Sequence, residues 1–286
     1  MTKKRRNFCD INPLFYRISL IKEYLRRDIK DLTSKELFAN TKDKSTDALP
    51  HILMGHRSVI LRELLGVDMQ LQYNKAINLS IAGDKINGII IHPGETFSFW
   101  RTIGAPSARQ GYLEGLVISK GKVASDIGGG LCQLANLIHW LVLHSPLTVA
   151  EIYHHTDALF PDSNRRVPFG TGTGVFYKNI DYRFKNTTDY DVQLLIWQQN
   201  GDLCGELRTD GIFPEKYKLV EENHHYRKEG EDFYRNSQVY RLVMDKERKV
   251  IRKELILNNH SKVMYDHSLI PAEQISQEEL NPEYIM

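Results

Sequence analysis

The sequence is poor in cysteine and has no long apolar run. Its three cysteines, Cys9, Cys132 and Cys204, stand far apart and form no Cys-x-x-Cys pair. This spacing excludes a disulfide framework and a typical zinc or redox-couple motif. The longest apolar stretch, 137–143, is far shorter than the ~20 residues that span a bilayer. No transmembrane segment is therefore predicted.

An excess of charge of one sign is also lacking, since 38 basic residues face 36 acidic ones and the formal net charge is +2. Such a chain has no overall field that would gather nucleic acid, which is not expected as a partner. The first residues are basic, but Asp10, Arg17 and Lys22 interrupt any apolar core of a signal peptide. We therefore expect a cytoplasmic chain, in which unpaired thiols stay reduced.

The first third of the chain has helical patterning. Apolar residues recur at steps of three and four along the first predicted helix, at Leu14, Ile18, Ile21, Leu25, Ile29 and Leu32. This spacing predicts one face of a helix that caps the main domain. A second helix is predicted over 51–65, ended by Gly66, and a third over 75–86.

Strand patterning follows. Gly88–Ile91 and Thr96–Trp100 have strand composition, and a hairpin is predicted across 115–119 and 122–124. Alternation from 175 to 208 predicts an antiparallel meander, in which Asn200-Gly201 is a strong hairpin turn. Further strands are predicted over 238–244 and 250–257.

These patterns predict an α+β protein of three segments. Residues 1–73 form a helical amino-terminal extension. Residues 74–213 form a central domain in which a buried, cysteine-bearing helix packs on antiparallel strands. Residues 214–286 form a strand-rich carboxy-terminal extension with a polar tail.

One segment has the pattern of a thiol nucleophile. Gly128, Gly129 and Gly130 precede a predicted helix whose first turn contains Cys132. The unpaired N–H groups and the positive end of the helix dipole favour a thiolate there, and the same N–H groups would hold an oxyanion. Gln133 would add a further donor. The alternative is that Cys132 is a small packing residue, because cysteine is among the most buried residue types.

A cysteine nucleophile needs a base and a group that orients it. His155 is the preferred candidate base and His154 the second. His139 lies seven residues after Cys132, roughly 10 Å along a helix axis, and is expected to be a packed core residue. The candidates for the orienting carboxylate are unranked: Asp157, Asp162 and Asp181.

Two other site classes fit the sequence less well. A glycine-rich loop before a helix can hold phosphate, but Gly128–Gln133 lacks the lysine and the spaced glycines of nucleotide-binding loops. Cys132, a histidine and an aspartate would supply three zinc ligands, but they show no fixed ligand spacing. The sequence thus predicts no metal and no cofactor.

The motifs together resemble the VanW family. The resemblance rests on Pro93–Trp100, Gly128–Gln133, the histidine near Glu151, and Pro168–Thr173, and it covers roughly 74–210. It implies a glycopeptide-resistance or cell-wall context. In larger, secreted members the motif cysteine is linked to L,D-transpeptidation of peptidoglycan, and this position corresponds to Cys132. The family histidine corresponds to His155. This chain has Ile152 where many members have an arginine.

Two hypotheses of different classes follow. In the first, Cys132 transfers an acyl group of a peptidoglycan stem peptide or its precursor, with the N–H groups of the glycine turn as oxyanion hole and His155 as proton shuttle. In the second, the protein is an accessory module that binds a peptide or anionic cell-wall ligand in the same glycine-lined pocket. A peptide-like cell-wall molecule is the expected partner in both.

Overall fold

The computed structural model describes residues 12–63, 66–119, 122–154, 156–159, 161 and 167–276. Its helices are α1 (Pro13–Thr33), α2 (Met69–Ile86), α3 (Phe99–Ile103) and α4 (Cys132–Leu143). Its strands are β1 (His51–Val59), β2 (Ile89–Ile91), β3 (Thr96–Ser98), β4 (Glu114–Ser119), β5 (Lys122–Ile127), β6 (Thr148–Glu151), β7 (Asp157–Ala158), β8 (Arg183–Lys185), β9 (Val192–Gln199), β10 (Asp202–Thr209), β11 (Lys216–Glu229), β12 (Asp232–Met244) and β13 (Val250–Val263).

The strands form separate sheets. The main sheet has the order β1-β10-β9-β2 and is antiparallel throughout. A second sheet, β11-β12-β13-β7, contains the long carboxy-terminal strands, and β7 joins it in parallel. A small sheet, β3-β8-β6, and the hairpin β4-β5 complete the arrangement. The α+β prediction is confirmed.

The main core lies between the main sheet and the helices α2 and α4. Nearly every position of α4 is apolar, so the helix is buried almost all round, with Leu134, Ile138 and Leu141 fully buried. The helix packs on β1 and β10, where Leu207 is also fully buried. This packing fixes Cys132 at the amino-terminal end of a rigid element.

Several local predictions are confirmed. Helices occupy 13–33 and 69–86, and strands occupy 89–91 and both arms of the β4-β5 hairpin. At the β9-β10 turn Asn200 and Gly201 have φ values of 52° and 81°. Both residues are thus left-handed, as the hairpin turn predicted from the sequence requires.

The predicted helix over 51–65 is wrong. His51–Val59 is the edge strand β1, paired along its length with β10. Pairing with a partner strand determines the structure of this segment, because a short segment with isolated apolar residues fits the period of a helix as well as that of a strand. The predicted strand over 96–100 ends at Ser98, whose hydroxyl caps α3. The predicted meander is split, since β8 pairs with β3 and β6 whereas β9 and β10 join the main sheet.

The first helix exists, but its expected packing is wrong. The apolar residues Leu14, Ile18, Ile21, Leu25, Ile29 and Leu32 are all exposed. Charged side chains of α1 contact the domain instead, through four ion pairs: Arg27–Glu151, Lys30–Glu151, Asp28–Lys178 and Asp31–Arg183. Charge complementarity, which periodicity does not report, determines which face of the helix lies inward.

Candidate functional site

Cys132 is the first residue of α4, so its predicted placement at a helix start is confirmed. It is a free, half-buried thiol, and its Sγ lies 3.9 Å from the carbonyl oxygen of Val175. Burial raises the pKa of Cys132 above its ordinary value. In the resting protein the neutral thiol is therefore the dominant form at neutral pH.

The three glycines are packed between other elements. A Cβ atom on Gly128 would lie 2.6 Å from Pro106, and one on Gly129 would lie 2.1 Å from the carbonyl oxygen of Gly115. One on Gly130 would lie 2.2 Å from the side chain of Lys75. Gly128 and Gly130 also have positive φ values. Close packing at all three positions and positive φ at two of them thus account for the triplet, and contact of these glycines with a ligand stays a prediction.

Two residues of α2 support the glycine turn, and sequence analysis missed both. The buried Asn78 amide donates to the carbonyl oxygens of Gly129 and Leu113, at 2.9 and 3.0 Å. The ammonium of Lys75 donates to Gln72 at 2.7 Å, and burial lowers its pKa to about 8. Buried polar residues on an otherwise apolar helix face are the sequence pattern that marks such supporting positions.

The polar side chains that follow Cys132 on α4 tie the helix to its neighbours. The Gln133 amide donates to the Ser58 hydroxyl and to the Val59 carbonyl oxygen, both at 2.9 Å. It is thus engaged with the end of β1. Asn136, also missed, accepts a 2.6 Å hydrogen bond from the Thr173 backbone N–H. This bond holds the loop that contains Thr173 against α4.

The histidines near the cysteine have separate roles. His139 is buried and hydrogen bonds with the Tyr182 hydroxyl at 3.1 Å, and burial lowers its pKa to about 3. It is a neutral core residue, as expected. His154 donates from Nδ1 to the Gly170 carbonyl oxygen at 3.1 Å. His155, the preferred candidate base, lies outside the described residues.

The candidate orienting carboxylates lie apart from each other. Asp157 belongs to β7, beside Lys262 in the carboxy-terminal sheet. Asp181 is buried and accepts from the Ser98 hydroxyl at 2.6 Å and from the Trp100 N–H at 3.1 Å. Asp162 lies outside the described residues.

A charged network surrounds Asp181. The Arg183 guanidinium donates from Nε to Asp181 at 2.7 Å and from Nη2 to both oxygens of Asp31, at 2.8 and 2.9 Å. Glu151 accepts a fork of two bonds from Arg27. Burial by itself would raise the pKa of Glu151, but Arg27 and Arg183 outweigh it and lower the pKa. Glu151 is therefore ionised at neutral pH.

A cavity of about 550 Å³ opens beside this network, between α1 and the domain. Asp181 and Arg183 lie at one wall, and Trp100 and Tyr177 form an aromatic wall, with ring centroids 5.6 Å apart. Arg101 also lines it, over the Phe38 ring at 4.2 Å, and its guanidinium makes no ion pair with any described residue. The cavity thus combines aromatic surface with a guanidinium that has no carboxylate partner among the residues that the structure describes.

The described residues form neither a cluster of metal ligands nor a membrane-spanning helix. Within the described ranges, His, Cys, Asp and Glu side chains form no group of three that would hold a metal ion. None of the helices in the same ranges is long and apolar enough to cross a bilayer.

The comparisons place this chain among known proteins. The family model described as VanW like protein matches residues 74–208. The chain is 31% identical to the vancomycin B-type resistance protein VanW of Enterococcus faecalis over 229 residues, 80% of this chain and 82% of that protein. It is 29% identical to the uncharacterized protein YoaR of Bacillus subtilis over 147 residues, 51% of this chain and 47% of that protein. No solved structure gives a significant match. The glycine turn, Cys132, Asp181 and Arg183 all lie in the matched range, and the chain belongs to the VanW family.

Proposed function

We propose that this protein acts in glycopeptide resistance and cell-wall metabolism by binding a peptide that carries a free carboxylate, in the cavity between α1 and the domain. The similarity to a vancomycin resistance protein supports the context. The observation that carries this proposal is the environment of Arg101. Its guanidinium lies beside aromatic walls and has no carboxylate partner among the described residues. Stem peptides of the cell wall end in carboxylates, and a guanidinium binds a carboxylate with two hydrogen bonds.

A neighbouring contact supports this ligand chemistry. Arg27, which also lines the cavity, already binds the Glu151 carboxylate through both terminal nitrogens, so a guanidinium of this cavity binds a carboxylate in a fork geometry. The ligand would place its carboxylate on Arg101 and its apolar side chains against Trp100 and Tyr177. Free thiols at Cys132 and Cys204 support a cytoplasmic site of action, where stem-peptide precursors are made.

The test is calorimetric binding of a synthetic stem pentapeptide. Arg101→Gln removes a charge-assisted hydrogen-bond pair and lowers the affinity about tenfold or more. Arg109→Gln is the matched control, because Arg109 is an exposed arginine on the nearby 108–110 turn that does not line the cavity. Equal affinities of the Arg101→Gln variant and the unmodified chain would refute the site.

A second candidate function is acyl transfer at Cys132, supported by its place at the start of α4. The Sγ proton would pass to His155 as sulfur attacks a peptide carbonyl. The oxyanion would collapse, and the leaving amine would take the proton from His155, which leaves a thioester. An amine or water would then release the acyl group. The raised pKa of Cys132 requires that the bound peptide activate the thiol.

Mass spectrometry separates the two candidates. Acyl transfer predicts a stem-peptide adduct on Cys132 that Cys132→Ala lacks, and a pH-rate profile of alkylation that shifts in His155→Ala. Binding alone predicts no adduct and full affinity in Cys132→Ala. Cys204 is the internal thiol control, because burial raises its pKa as well.

A further inference from the structure

We propose that α1 binds the surface of an anionic lipid bilayer through its outward apolar face, which we name the α1 stripe. The stripe consists of six side chains that are 45% to 89% exposed, namely Leu14, Ile18, Ile21, Leu25, Ile29 and Leu32. At 100° per residue they fall within about 80° of the helix circumference, one continuous ridge along 21 residues. This inference does not depend on the ligand proposed for the cavity.

The domain holds the helix with this ridge facing outward. Four ion pairs join α1 to the domain, and their α1 residues all lie outside the arc of the stripe: Arg27, Asp28, Lys30 and Asp31. Arg27 and Arg183 are nearly buried in these contacts, with 11% and 7% of their side chains exposed. An amphipathic helix ordinarily buries its apolar face against the core. Here the contacts fix the opposite orientation, which leaves the stripe available to another surface.

The charges around the stripe determine which surface it fits. Both α1 aspartates are neutralised by Lys178 and Arg183, so the outward charges are mainly basic. Among the described residues of α1, the exposed cations that form no ion pair with the domain are Arg17, Lys22 and Arg26. The acidic residues Glu23 and Asp28 are both paired, Glu23 with Arg26 and Asp28 with Lys178. By helical projection, Arg17 and Lys22 flank the two sides of the stripe. The sequence before the helix adds Lys3, Lys4, Arg5 and Arg6.

This combination fits anionic lipid better than a second copy of the chain. An apolar ridge with basic flanks lies in the interface of a bilayer, and each basic residue near an anionic surface adds attraction. Two copies that pair stripe to stripe would bring Arg17 and Lys22 of both helices against like charges. The occupant that complements both the ridge and its flanks is a membrane with acidic headgroups.

The test is co-sedimentation of the full chain with sucrose-loaded vesicles. Vesicles of phosphatidylglycerol and phosphatidylcholine should bind the protein, and phosphatidylcholine alone should bind it at least about tenfold more weakly. The double variant Ile21→Glu/Leu25→Glu should lower partitioning about tenfold or more. Lys22→Gln and Arg26→Gln should each lower it about fivefold.

The control variant is Ile212→Glu, which removes an equally exposed apolar side chain outside α1 and should leave partitioning unchanged. Thermal unfolding of every variant shows that the fold is kept, because all the replaced side chains are exposed. Equal binding to neutral and anionic vesicles would overturn the proposal, as would unchanged binding by Ile21→Glu/Leu25→Glu. A concentration-dependent dimer in sedimentation velocity that this variant abolishes would also overturn it, in favour of a second copy.

Discussion

At the scale of single residues, Gly129 leaves no room for a side chain. Its missing Cβ would lie 2.1 Å from the Gly115 carbonyl oxygen, and a Cβ on Gly115 would in turn lie 2.4 Å from the Gly129 oxygen. Gly129→Ala therefore forces backbone apart and should lower the free energy of unfolding by about 1–3 kcal/mol. Urea denaturation measures this loss. Gly55→Ala is the control, because nothing lies closer than 3.7 Å to its Cβ position.

His92 makes stability depend on pH. Its two ring nitrogens bond Asp43 at 2.9 Å and Asp191 at 2.8 Å, and these bonds raise its pKa from 6.5 to about 9. Because the folded pKa is the higher one, the stabilisation is fully present below pH 6.5 and is lost as pH rises through 9.

The urea midpoint difference between the unmodified chain and His92→Gln should therefore be largest below pH 6.5 and shrink toward pH 9. The partly exposed side chain limits the size of this effect. His51→Gln, at an exposed position of β1, is the matched control variant. A constant difference for His92→Gln would contradict the assignment.

The chemistry of Cys132 was only partly predictable from its neighbours. Three glycines before an apolar helix locate the thiol at a helix start, since both features are local. The raised pKa of Cys132 results from burial, which outweighs the hydrogen bond to the Val175 carbonyl oxygen, and the burial depends on how distant parts of the chain pack. The supporting roles of Asn78 and Lys75 were missed for the same reason, because they come from another helix.

At the scale of elements, α1 depends on ion pairs more than any other helix described here. Asp31→Asn removes the carboxylate that Arg183 holds with two short bonds, although Asp181 remains. We expect α1 to detach more often, with amide exchange in 13–33 about fivefold faster, equivalent to ~1 kcal/mol. Hydrogen-exchange mass spectrometry measures this rate.

The control is Glu23→Gln on the same helix, because Glu23 pairs only with Arg26 on the surface at 3.8 Å. Its exchange rate should stay within twofold of the unmodified chain, since surface pairs contribute little. Unchanged exchange in Asp31→Asn would show that the ion pair does not hold the helix.

Element types were predictable where the pattern was long or the turn specific. The spacing over 13–33 and the Asn200-Gly201 turn each specify one structure locally. The 51–65 prediction failed because β1 gains its backbone hydrogen bonds from β10, some 150 residues away. The spacing of apolar residues also could not predict which face of α1 lies inward, because ion pairs with β6 and β8 determine the orientation of the helix.

At the scale of the whole molecule, two apolar clusters are joined by the loop at 167–174. The main cluster draws its buried residues from 60–207, and a smaller one contains Tyr226, Val263 and Ile270. The loop bonds Asn136 of α4 through Thr173, and its Phe169 ring lies 4.0 Å from the Arg235 guanidinium. Through this loop, α4 is linked by contacts to the carboxy-terminal sheet.

The amino-terminal limit of the central domain has a direct test. Residues 1–73 contain β1, which pairs with β10 from His51 to Val59, and Ile60, which is part of the main core. Gln133 beside the cysteine also bonds the end of this strand. A chain of residues 34–286 lacks α1 and its ion pairs but keeps β1 and Ile60, so it should keep a cooperative thermal transition.

A chain of residues 74–286 should not fold. Removal of β1 leaves the backbone groups of β10 that face β1 without partners, and it uncovers the core beneath Ile60. Circular dichroism melts of the two chains, prepared side by side, measure the difference. If 74–286 melted cooperatively at the same temperature as 34–286, the sequence-based limit at residue 74 would be supported and β1 would be a dispensable edge. If only 34–286 melts, the folding unit begins with β1, and any assay of Cys132 requires that strand.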